Sequence, residues 1–305
     1  MDVRSTLITV LSVFPLLLVG YGAKKAGILK ANHAQVINSL VINLTLPAFI
    51  FVNAHDKPLT SAMVKVPGVA IAAELVVMCA AYLVARLLKL DRPTTGGFML
   101  VAAFGNTGYL GYPLVKAAFH GDPNAMLTAV LFDGFGMRTA LATIGIVVAA
   151  SFAGSKFERK SLLEFIKTPL VPMTILALIL RKVYVPPAVL SVLTFVGNWT
   201  VPLAMLSTGL SLEAGALRSY PLPLAAAAAL KMGLMPLLMY LALPHAGIHG
   251  VVYRVAILES VVPSAVFSSV IAARYKANGE FAAAAVFLST FISIAWIPAV
   301  LIMVR

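Results

Sequence analysis

The chain has 305 residues, 61% of them hydrophobic and only 11% charged. Apolar stretches of about 20 residues recur from end to end, the mark of an all-α polytopic protein of the lipid bilayer. The net charge of +12 does not announce a nucleic-acid partner, because its lysines and arginines cluster in short joints between apolar stretches rather than on one solvated face.

Taken in order, the apolar runs define ten transmembrane helices, at roughly 5–23, 33–54, 66–88, 93–118, 123–152, 169–183, 186–209, 221–243, 249–273 and 279–304. Arg4 and the run Leu7 to Val19 have the look of a secretory signal, but Gly20-Tyr21-Gly22 leads straight into Lys24 and Lys25 without a cleavage pattern. The run is therefore read as the first span. Cys79, the one cysteine, falls in span three, so no intrachain disulfide can form.

Most joints are compact; the longest is Gly154 to Thr168, GSKFERKSLLEFIKT, near the middle of the chain. It divides the sequence into a first five-helix unit (1–153), a linker (154–168) and a second five-helix unit (169–305). The joints after spans one, three, five, seven and nine hold most of the basic residues, among them Lys24, Lys25, Arg92, Lys156, Arg159 and Lys160. That side is expected to be cytoplasmic, with both termini outside and the linker inside. The expected location is a bacterial inner (plasma) membrane.

Span four contains Phe104 to Pro113, FGNTGYLGYP, with three glycines, a proline, Asn106 and Thr107 inside an apolar run. A helix merely kinked against a neighbour needs less than this. Unwound backbone is tolerated at membrane depth only where it is buried in protein or lines a water-filled cavity, so span four is expected to break and face a solute.

An internal echo supports the halving. Asn43-Leu-Thr-Leu-Pro47 in span two matches Asn198-Trp-Thr-Val-Pro202 in span seven, and Pro113 has a counterpart in Pro263 of span nine, within Glu259-Ser-Val-Val-Pro-Ser264. Five is odd, so the second unit enters the membrane upside down. Two inverted repeats with paired broken spans, here four and nine, are a build used by secondary transporters with a midplane site.

Ionisable residues deep in apolar spans are costly and usually functional or paired. Glu74 lies in span three, Asp133 and Arg138 in five, Lys231 in eight and Glu259 in nine. They either hold solute or pair with one another, for instance Glu74 with Lys231 and Asp133 with Arg138. His33, His55, His120, His245 and His249 show no metal-ligand spacing, so no metal is expected. No nucleophile–base motif, P-loop or ATPase unit stands out, and the chain is not expected to be an enzyme or a primary pump.

GNTGYLGYP, the proline-broken span two, the run PLAMLSTGLSL from Pro202 and the tail LESVVPSAVFSSVIAARY resemble the auxin efflux carrier family of membrane transport proteins, over essentially the whole chain. The long cytoplasmic loop of the plant PIN carriers is absent. The resemblance implies a fold like that of the bile acid:sodium symporters. Spans one, two, six and seven would form a scaffold, three to five and eight to ten a mobile core, and spans four and nine would cross at their unwound middles. It also implies a homodimer through spans two and seven.

The expected function is secondary transport of a small organic anion, a mono- or dicarboxylate, by elevator-like alternating access; the alternative is a non-transporting membrane receptor on the same fold. Half-helix N-termini suit a carboxylate. Asn106, Thr107 and Gly108, with Pro113, Pro263, Ser264 and Arg138, are the expected cradle, and Asn43 and Asn198 would face it from the scaffold. No cofactor is expected beyond a coupling ion. Glu259 is the main candidate to bind it, with Thr107, Thr128 and Asp133 adding oxygens for Na⁺; the same carboxyl in a dry site suits a proton instead. The sequence does not choose between Na⁺, H⁺ and uncoupled exchange.

Overall fold

A computed structural model of the chain describes residues 11–154 and 168–303. It is about 80% helix, with no strand among the described residues. The helices are α1 (Phe14–Lys25), α2 (His33–Ala54), α3 (Ser61–Leu87), α4 (Arg92–Ala103), α5 (Tyr112–Ala118), α6 (Pro123–Phe152), α7 (Leu170–Ile179), α8 (Pro187–Ser211), α9 (Pro221–His245), α10 (Gly250–Val261), α11 (Val266–Arg274) and α12 (Gly279–Met303). Residues 5–10 of the expected first span, Arg4, Arg305 and the charged stretch 155–167 lie outside the described residues.

Six helices, α2, α3, α6, α8, α9 and α12, are each long and apolar enough to cross a membrane. They coincide with expected spans two, three, five, seven, eight and ten. The α3 helix begins at Ser61, earlier than the apolar run suggested, because Thr60 caps it by accepting the Met63 N–H at 3.3 Å and Pro67 is absorbed in the interior. Expected span six is α7 with a 3₁₀ turn at Leu180–Lys182, too short to cross a full hydrocarbon core upright. Expected spans four and nine are each interrupted. Span four is α4 followed by α5, and span nine is α10 followed by α11.

The long helices are irregular at particular places. Five π-helical turns occur among the described residues, at Val41–Thr45, Thr107–Gly111, Phe132–Met137, Leu141–Gly145 and Leu230–Leu234. Such turns widen the helix, release a backbone carbonyl and gather at functional positions. The Met232 carbonyl in the last of them accepts the Trp296 indole N–H at 2.8 Å.

Helices α1, α2, α7 and α8 pack on one another, and α3 to α6 pack with α9 to α12. The backbones of α1 and α8 approach closely, because Gly20 and Gly209 face each other. A Cβ on Gly20 would overlap the Leu206 carbonyl and lie 3.2 Å from the Gly209 Cα. Small residues that let backbones touch are how helices associate where lipid removes the hydrophobic drive. The outer faces of α8 (Val189, Val192, Phe195, Trp199) and α2 (Val36, Leu40, Leu44) remain exposed.

Candidate functional site

The two interruptions meet. Phe104 and Val262, the residues that end α4 and α10, are both extended, and Gly105 and Ser264 form an isolated antiparallel bridge. The Asn106 N–H donates to the Pro263 carbonyl at 2.8 Å, and the Ala265 N–H donates to the Phe104 carbonyl at 2.9 Å. Backbone freed by one break is thus satisfied by the other, as dry surroundings demand. Side chains complete the accounting: the Ser264 hydroxyl donates to the Val101 carbonyl at 2.6 Å, and the Ser264 N–H donates to Ser289 Oγ at 3.1 Å.

Beyond each break a helix starts afresh, one from the π turn at Thr107 and one at Val266. First-turn N–H groups have no intrahelical acceptor, and the dipole there is positive. Both starts therefore bring positive potential to the junction.

The glycines of FGNTGYLG have a specific purpose. A Cβ at Gly105 would sit 2.9 Å from Lys231 Cε and 3.1 Å from its Nζ. At Gly108 it would sit 2.5 Å from Arg138 Nη2 and 3.2 Å from Asp133 Oδ2, and at Gly111 it would overlap the Glu259 carboxylate. Each glycine makes room for one buried charged group or pair. These groups come from outside span four: Asp133 and Lys231 sit in π turns of α6 and α9, Arg138 directly follows the first of those turns, and Glu259 lies in the last turn of α10.

Asp133 is the best satisfied of them. It accepts Thr107 Oγ1 at 2.6 Å, the Tyr112 hydroxyl at 2.8 Å, and Arg138 through Nε at 3.2 Å and Nη2 at 2.5 Å. The expected Asp133–Arg138 pairing is present. The expected Glu74–Lys231 pairing is not. Lys231 Nζ donates instead to the Ser260 carbonyl at 2.7 Å, and Glu74 Oε2 has no hydrogen-bond partner. Glu259 is fully buried with neither oxygen partnered.

A cavity of about 220 Å³ reaches this junction. Its inner end is Gly105, Asn106, Gly108, Tyr109, Asp133 and Arg138. Its walls are apolar, from Met137, Leu141, Leu170, Phe267 and Ile271, and its far end is Thr168, Arg274 and Tyr275. A second cavity of about 600 Å³, lined by Gln35, Asn38, Glu213, Lys276 and Glu280, lies on the other side of α11. Helix α11 thus stands between two open spaces.

Of the expected cradle, Asn106, Gly108 and Arg138 line the first cavity together, and Thr107 is tied to Asp133 beneath it. Pro263 and Ser264 are at the junction, but the Pro263 carbonyl and the Ser264 hydroxyl and N–H are bonded within the protein. Pro113 is not in the break; it occupies the first turn of α5, directly after the π turn. The proline match between spans four and nine therefore misaligns the breaks, which register as Gly105 opposite Ser264.

Asn43 and Asn198 are exposed and do not line the cavity, and Asn43 bonds its own helix at Ser39. The inward residue of each N-x-T-x-P copy is the threonine. Thr45 and Thr200 are both buried with unpartnered hydroxyls. For a coupling ion, Thr128 bonds the Asn124 carbonyl of its own helix at 2.7 Å, and Thr107 and Asp133 bond each other. Glu259 alone of that set is uncommitted. Tyr109 and Tyr112 were missed. Nothing in the spacing marks which tyrosine hydroxyl meets a carboxylate.

Long apolar helices around buried charge, with a cavity ending on two interrupted helices, define a multi-pass membrane protein built about an internal polar site. The sequence profile of the family described as Membrane transport protein matches residues 5–302, so the chain belongs to that family, the one its span-four motif resembles. It is 32% identical over 294 residues to an uncharacterized transporter of Methanocaldococcus jannaschii, covering 93% of this chain and 94% of that one. It is 27% identical to an uncharacterized transporter of Methanothermobacter thermautotrophicus, covering 95% of each. A Rhizobium meliloti protein named "Putative malonate transporter" is 25% identical over 323 residues, covering 97% of this chain and 95% of that one.

Proposed function

We propose that the chain is a secondary carrier of small organic anions, working by alternating access in the plasma membrane with both termini outside. The observation that carries this reading is the cavity that ends on two paired helix breaks ringed by buried charge. Ten spans in two inverted units, 1–153 and 169–305 about the linker 154–168, account for the antiparallel pairing of the breaks. They also account for the matching buried threonines of the N-x-T-x-P copies. Spans one, two, six and seven form the scaffold and the rest the moving core, a division in keeping with the helix packing. Both cavities flank α11 toward the basic joints expected to be cytoplasmic, which fits a state open to the inside. The lipid-sized apolar faces on α2 and α8 are where a second copy meets the first.

The substrate is a small carboxylate. The volume lies below the range usual for drug-sized ligands, and one relative's name mentions malonate. Coupling runs through Glu259. A bare carboxylate buried with neither oxygen hydrogen-bonded to the protein is too costly to persist, so it holds a cation. Neither Glu259 oxygen has a hydrogen-bond partner among the described residues, and a single proton is the simplest cation that removes its charge. Uptake of radiolabelled malonate into proteoliposomes, with pH and Na⁺ gradients imposed separately, tests this. A pH gradient should drive accumulation in wild type and fail in Glu259→Gln; a response to Na⁺ alone would refute proton coupling. A receptor on the same fold would bind carboxylates and move none.

A further inference from the structure

We propose that Tyr109 binds the carboxylate of the substrate directly through its hydroxyl, and so helps determine what the site accepts. This rests on the reading of the cavity as an organic-anion site. A buried tyrosine hydroxyl ordinarily finds a partner. That of Tyr109 has none, although the residue is only 2% exposed and lines the cavity. The Asn106 side-chain amide nitrogen, on the same cavity, also lacks one. Arg138 is the third donor there, held through Nε and Nη2 by Asp133.

The obvious acceptor is already taken. Both oxygens of Asp133 are occupied, by Thr107, Tyr112 and Arg138. Around the inner end of the cavity, donors therefore remain without acceptors. A carboxylate is all acceptor, and supplies what Tyr109 and Asn106 lack. The ring of Tyr109 is fixed without help from its hydroxyl, edge-on to Phe267 with centroids 5.7 Å apart and planes at 72°. Tyr109 follows the first break and Phe267 the second, so the aromatic contact spans both interrupted helices. The hydroxyl is aimed by packing and left free for a ligand, which is how a preorganised site is made.

The test is Tyr109→Phe, which removes the hydroxyl and keeps the ring against Phe267. Purified wild type and variant are melted without ligand, and then titrated with malonate, propionate and phenylacetate. An unpartnered hydroxyl contributes nothing to the empty protein, so ligand-free Tm should stay level or rise. For every acid that wild type binds, Kd should weaken about tenfold, the loss expected of one hydrogen bond to a charged group. A lower ligand-free Tm would mean that the hydroxyl serves the fold, and unchanged Kd would mean that it touches no substrate; either overturns the inference while the carrier reading stands. If wild type neither binds nor exchanges any of the three acids, both readings fall together.

Discussion

The two breaks are alike in backbone and unlike in chemistry. Each ends a helix in an extended residue, each lends one N–H to the other, and each is followed by a new helix start. The first carries Asn106, Thr107 and Tyr109, with glycines at every third position to admit charged side chains from other helices. The second, Val262 to Ala265, has no glycine, and its one side-chain hydroxyl is spent on the Val101 carbonyl. The backbone frame is thus alike on the two sides, while the glycine slots and the unpartnered donors of Asn106 and Tyr109 lie on one of them. The second strand acts mainly through what precedes it, the Ser260 carbonyl under Lys231 and the Glu259 carboxyl over Gly111.

The largest effect should come from stripping charge from the first side. Asp133→Ala leaves Arg138 buried without its counter-charge, which costs about 3–5 kcal/mol. Thermal melting in detergent should show a collapse of Tm. A variant as stable as wild type would mean that water or lipid headgroups already neutralise the guanidinium.

Next comes the space for charge. Gly111→Ala drives a methyl into the Glu259 carboxylate, an overpacking of about 1–3 kcal/mol, and should reduce carboxylate uptake more than tenfold. Ala265→Gly, on the second strand, costs only about 0.5–1 kcal/mol of backbone entropy and should leave uptake within about twofold. Equal losses from the two would erase the asymmetry.

The finest contrast pairs Asn106→Ala with Ser264→Ala. The first should weaken malonate binding by about 1–3 kcal/mol with little change in ligand-free Tm, since the amide nitrogen has no partner to lose. The second should lower stability by about 0.5–1.5 kcal/mol and leave Kd alone, since its hydroxyl bonds the Val101 carbonyl. If Ser264→Ala weakens binding as much as Asn106→Ala, both strands recognise the solute.

Much of this was legible in the sequence, for physical reasons. Apolar length marked the six long helices, and the density of glycine, asparagine and threonine in FGNTGYLG marked the break, because no lipid-exposed helix tolerates it. The rarity of deep charges singled out Asp133, Arg138, Lys231 and Glu259 before their neighbours were known. What stayed hidden depends on rotation about helix axes. The N-x-T-x-P copies gave no sign that threonine turns inward and asparagine outward, because the π turn at Val41–Thr45 and the turn at Trp199 change the helical phase there. The break in span four is expected from its glycines and Pro113 together, but Pro113 lies in the first turn of α5, and the break is made where Gly105 pairs with Ser264. The glycines were taken as helix breakers only, and their role as slots for Lys231, Arg138 and Glu259 needs partners that are remote in sequence.

The central claim is that the paired breaks bind a carboxylate and carry it across the membrane. Counterflow tests this without assuming any coupling ion: proteoliposomes are loaded with unlabelled malonate or propionate, and entry of the radiolabelled acid is followed. The account predicts saturable exchange of at least one acid in wild type, and its loss at the same concentration in Asn106→Ala. Saturable binding with no exchange, or exchange that Asn106→Ala leaves untouched, would contradict it.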